Sequence, residues 1–158
     1  MPSAILAGGA VGGALDLVFA FSFAGYNGVP PGRLLQIIAS GLLGNAAFAG
    51  GVPTMALGFG CHFGLSLLWA ALFAAAAWRV PGLARRPLLA GAVFGVVVFL
   101  AMRLVVLPLS AYPRPVSFAP LATTLDLLSH MLLFGGPIAL AVARALRNRL
   151  EPSAGVVN

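Results

Sequence analysis

Four apolar runs divide the chain: residues 4–24, 53–78, 88–107 and 121–143. A hydrocarbon core of about 30 Å needs roughly 20 helical residues per crossing, so each run is long enough to span a membrane. Residues 33–48 follow a different pattern. There Arg33, Gln36, Ser40 and Gly44 share one face, opposite Leu34, Leu35, Ile38 and Leu42. Polar residues along one side suit a membrane surface better than a full crossing, which predicts an interfacial or re-entrant helix. The fold class that follows is all-α membrane. It is a four-transmembrane-helix bundle with an additional amphipathic helix between spans 1 and 2, in one integral-membrane domain over 1–158.

The breaks between runs carry turn chemistry. Gly25 to Pro31 interrupts the first run, Arg79 to Pro87 (RVPGLARRP) separates the second from the third, and Pro108 is expected to end the third. Leu109 to Pro120 (LSAYPRPVSFAP) is too short for a domain and reads as a cap over one end of the bundle. The polar tail Glu151 to Asn158 is expected to fray.

Within the runs, small residues recur every fourth position, and each such stripe carries an ionisable residue. Gly8, Gly12, Asp16 and Ala20 form one stripe, and Thr54, Gly58, His62, Ser66 and Ala70 a second. Gly91, Gly95, Phe99 and Arg103 form a third. Small residues let neighbouring backbones approach, so Asp16, His62 and Arg103 are expected to face protein and not lipid. In the fourth run Asp126 and His130 are one helical turn apart and share a face.

Composition sharpens the class. The chain is 61% hydrophobic and 8% charged, with a mean hydropathy of +1.05, well outside the soluble range. Its net charge of +6 does not signal nucleic acid, because the arginines form no stripe interleaved with aromatics. Instead Arg79, Arg85 and Arg86 fill one loop, and Arg144, Arg147 and Arg149 follow the last run. Under the positive-inside rule both termini are cytoplasmic and Arg114 lies on the other side. The lone Cys61 permits no intrachain disulfide.

Counting residues along each span places Asp16, His62 and His130 roughly 12–13 Å below the outer surface. Arg103 and Asp126 come out level with each other, roughly 8 Å deep. The expected arrangement is therefore a ligand, ion or proton site of Asp16, His62 and His130 in the outer half, with a buried Arg103–Asp126 ion pair above it. The bland alternative uses the same residues as a clasp that holds the helices together. The cofactor is unknown from sequence. A divalent metal on His62, His130 and Asp16 and a bis-histidine haem are both compatible with the residue types, although neither has a local motif. No GxSxG surrounds Ser66, neither aspartate sits in a catalytic motif, and no enzymatic activity is expected.

Several segments resemble a group of uncharacterised four-span inner-membrane proteins of bacteria. They are Ser40-Gly41-Leu42-Leu43-Gly44, Leu57-Gly58, His62-Phe63, Val105 to Ser110 (VVLPLS), and His130 followed by Gly136-Pro137-Ile138-Ala139-Leu140, together with Asp16. Cys61 and Arg103 depart from the group's pattern. The resemblance implies a multi-pass bacterial inner-membrane protein and carries no activity. The expected partners are the lipid bilayer and either further copies of the chain or a larger membrane complex, to which it would be an accessory subunit.

Overall fold

The computed structural model describes residues 1–150, of which 149 and 150 are described as backbone only. The tail from Glu151 and the side chain of Arg149 lie outside the described residues. Four long helices are apolar enough to cross a membrane: α1 (Pro2–Tyr26), α3 (Gly51–Arg79), α4 (Pro87–Leu109) and α5 (Pro120–Asn148). The shorter α2 (Pro31–Leu43) and a 3₁₀ turn (Gly44–Phe48) lie between the first two. Prolines at the first helical positions open α1, α4 and α5 just ahead of their apolar runs.

Two glycine stripes on α1 serve two neighbours. A Cβ on Gly8 or Gly12 would press on Ile138 and Phe134 of α5, whereas one on Gly9 or Gly13 would press on Leu67 and Ser66 of α3. The run Gly8-Gly9-x-x-Gly12-Gly13 thus lets α1 lie against both helices at once. α5 packs in turn on α4 through Gly91 and Gly95, and α1, α3, α4 and α5 alternate in direction. The core of Phe73, Val98, Phe134, Ile138 and Val142 fills the space between them. Outward positions such as Val18, Val93 and Leu132 are exposed and apolar, as a hydrocarbon surround requires.

Neither α4 nor α5 is α-helical throughout. Met102–Val106 of α4 and His130–Gly135 of α5 are π-helical, and in α4 the Leu107 N–H reaches back five residues to the Met102 carbonyl. Each widened turn lies just before a proline. Pro108 and Pro137 have no N–H for the carbonyls of Leu104 and Leu133, and their rings crowd those carbonyls. Adding one residue to the turn relieves that crowding. Pro108 thus changes the bonding pattern of the last turns, and the helix ends one residue beyond it, at Leu109.

α2 is the amphipathic helix expected between the first two spans, and the packing decides which way its polar stripe faces. Its small and polar positions turn inward: Gln36, Ala39 and Ser40 are buried, Gln36 lies 3.4 Å from Thr54 Oγ1, and Leu42 and Leu43 are exposed. The face that looked suited to water packs on α3, where Gly58 accepts the α2 backbone at Leu35. Gly32 meets Met55 near the start of α3, while the Ala111 N–H donates to the Gly41 carbonyl beyond the end of α4. Both ends of α2 thus touch one end of the bundle, and the helix lies across it. The Arg33 and Arg114 guanidiniums sit 4.0 and 5.9 Å from the Phe48 ring there. This is the capped end. Arg79, Arg85, Arg86, Arg144 and Arg147 gather at the opposite one.

Candidate functional site

Asp16, the single carboxylate of α1, accepts a hydrogen bond from the Ser129 hydroxyl at 2.8 Å and lies 3.9 Å from His130 Nδ1. The same Nδ1 is 3.2 Å from Asp126 Oδ1 and 2.9 Å from the Asp126 carbonyl oxygen. All of these neighbours are acceptors, so Nδ1 carries the proton. Asp126 also takes the Arg103 guanidinium at 2.8 Å, and Arg103 Nη1 donates to the Ser117 carbonyl of the capping loop. The Phe99 and Phe118 rings flank the guanidinium at 5.0 and 5.4 Å.

Residue counting separates an upper ion pair from a deeper layer. The two layers connect through Asp126 and His130, one turn apart on α5, so the neighbours run Arg103, Asp126, His130, Asp16, Ser129 through α4, α5 and α1. Two carboxylates face one arginine and one imidazole, so each proton gained or lost changes the charge of a cluster largely withdrawn from solvent. The Asp16 and His130 side chains are only 14% and 16% exposed.

His62 approaches from α3 by another route. Its Nε2 lies 2.8 Å from the Gly13 carbonyl, and one turn further Ser66 Oγ donates to the Gly9 carbonyl at 2.6 Å. A carbonyl can only accept, so Nε2 bears the proton and a neutral ring keeps a lone pair on Nδ1. The glycines of α1 make this possible, because a Cβ on Gly13 would lie 2.7 Å from Ser66 Oγ.

Asp16, His62 and His130 all wall one cavity of about 590 Å³ between α3 and α4, within the usual range for small-molecule sites. Its remaining surface is largely apolar, from Leu65, Trp69, Val98, Met102 and Phe134, and α2 contributes Ile37 and Ile38. The Trp69 indole N–H is buried without an acceptor. Sequence reading overlooked Ser129 and Trp69: the first adjoins His130, and the second is a hydrogen-bond donor in mid-span.

Among the described residues no three His, Cys, Asp or Glu side chains converge on a point where an ion could sit. No family model, curated protein or solved structure matches the chain.

Proposed function

We propose that this multi-pass membrane protein binds a small ligand, with coupled proton movement, in the cavity walled by Asp16, His62 and His130. One observation carries the reading: three ionisable side chains from three helices border a single cavity inside an apolar bundle. Ionisable groups at such depth are unfavourable unless they are used or fully paired. The Nδ1 of a neutral His62 and the Trp69 N–H have hydrogen-bonding capacity to spare. The role is binding, not catalysis.

The reading places the protein in a bacterial inner membrane with both termini cytoplasmic. It is supported by the resemblance described above and by five arginines at one end of the bundle against Arg33 and Arg114 beside Phe48 at the other. In a Cys61→Ser background, Ser117→Cys should react with an impermeant thiol reagent added to intact cells. Gly82→Cys should react only after the membrane is opened. Labelling of both under one condition would reject this orientation.

A second reading has its own support. The bonds Ser129–Asp16, Ser66–Gly9, His62–Gly13 and Arg103–Asp126 each join two helices, as a clasp in an accessory subunit would. Substitution separates the two, because glutamine keeps much of the hydrogen bonding of histidine and loses its protonation. His62→Gln and His130→Gln should melt within a few degrees of the parent and lose the small molecule that native mass spectrometry detects on the extracted parent protein. His62→Leu and His130→Leu should melt lower. Glutamine variants that keep the bound mass, or a parent that carries none, would favour the clasp.

A further inference from the structure

Where the cavity opens determines what can enter it. Near the middle of α3, Trp69 and Phe73 close on Phe94 of α4, with ring centroids 6.3 and 4.9 Å apart. Toward the capped end the cavity keeps the two helices apart, with Cys61, Gly64, Leu65 and Leu68 on one side and Met102 and Val106 on the other. Gly64 and Leu68 are exposed, and a Cβ on Gly64 would meet nothing within 4 Å. Both lie close to the midpoint of a 29-residue span. A gap at that level faces hydrocarbon, not water. At the capped end α2 and the Gly41–Ala111 hydrogen bond cover the bundle.

The interior matches that route. From Cys61 to Trp69 the α3 wall runs eight residues, about 12 Å, and is mostly apolar. Trp69, whose N–H is buried without an acceptor, lines that wall next in sequence to Leu68 at the gap. A buried N–H without an acceptor is unfavourable, and a ligand oxygen that met it after a small turn of the indole would satisfy it. An ion or a water-soluble metabolite would need a polar path, whereas a molecule already dissolved in the bilayer needs only the gap.

We infer that the cavity takes a bilayer-soluble molecule bearing a carbonyl-type oxygen, admitted sideways between α3 and α4 past Gly64 and Leu68, with that oxygen accepting the Trp69 N–H. The inference rests on the cavity being a binding site, as proposed above. Two membrane constituents share this chemistry: a quinone-like ring and the ester of a glycerolipid chain.

The chain has two tryptophans, so Trp78→Phe leaves Trp69 as the sole indole. This variant would be reconstituted in phosphatidylcholine vesicles. Its emission would be followed with two quenchers added separately, a benzoquinone carrying a ten-carbon tail and a phosphatidylcholine brominated along one chain. Quenching that saturates at low mole fraction is expected with one of them, and which one identifies the source. Gly64→Leu, which fills the gap without striking the fold, should weaken that quenching at least fivefold. Gly60→Leu, an equally open position that does not line the cavity, should leave it unchanged.

Quenching by both probes that never saturates, or that Gly64→Leu does not alter, would overturn the inference. Adding His62→Gln and His130→Gln to the same background distinguishes it from the proposed function. Saturable quenching that survives in both keeps the sideways site and removes the polar cluster from ligand binding. Quenching lost in both ties the two together.

Discussion

Gly95→Ala is expected to lower the stability of the bundle by about 3 kcal/mol, the upper part of the range for overpacking a close contact. The added methyl would collide with the His130 carbonyl and the Met131 Cα, which are backbone atoms that no rotamer change can move aside. α4 and α5 would have to separate where the π segment begins, carrying the His130 ring away from Asp16. Gly64→Ala is the internal control. Its methyl meets nothing within 4 Å, and alanine is the better helix former by roughly 0.5–1 kcal/mol, so that variant should be neutral or slightly more stable. Melting both in the same detergent checks the expectation. Equal melting temperatures would mean that α4 does not rest on the π turn of α5.

The second large effect concerns Arg103 and Asp126. Removing one member of a buried pair costs about 3–5 kcal/mol because the other charge is stranded. Asp126 is about a third exposed, which places the expected loss near the lower end, about 3 kcal/mol. Asp126→Leu should exceed Arg103→Leu, since it also strips His130 of the carboxylate 3.2 Å from Nδ1. The double variant Arg103→Leu/Asp126→Leu should lose less than the two singles added together, with a coupling of about 1–2 kcal/mol. Unfolding titrations of the four proteins form the cycle that measures it. Strict additivity would show that Arg103 is held by the Ser117 carbonyl and its aromatic neighbours and gains nothing from Asp126.

The sequence by itself determined the class and the number of spans, because apolar length and bilayer thickness are linked by a single helical rise. It also located the residues that lipid would not tolerate, Asp16, His62, Arg103, Asp126 and His130, since a charge in a hydrophobic run stands out whatever the fold. It did not show which neighbour each faces. In a membrane helix the lipid side and the protein side are equally apolar, so periodicity marks a face and leaves its partner open. α1 illustrates this: the stripe from Gly8 and Gly12 leads to α5, while the adjacent Gly9 and Gly13 lead to α3.

For a related reason the amphipathic pattern of α2 left open which way its polar stripe turns, since such a stripe can face water or a polar partner, and here Gln36 and Ser40 are buried against the bundle. The π turns before Pro108 and Pro137 also belong to the tertiary structure. The prolines were visible in the sequence. Whether such a proline ends a helix, kinks it or widens one turn depends on the space that neighbouring helices leave. That space, like the cavity between α3 and α4, exists only once all the helices have packed.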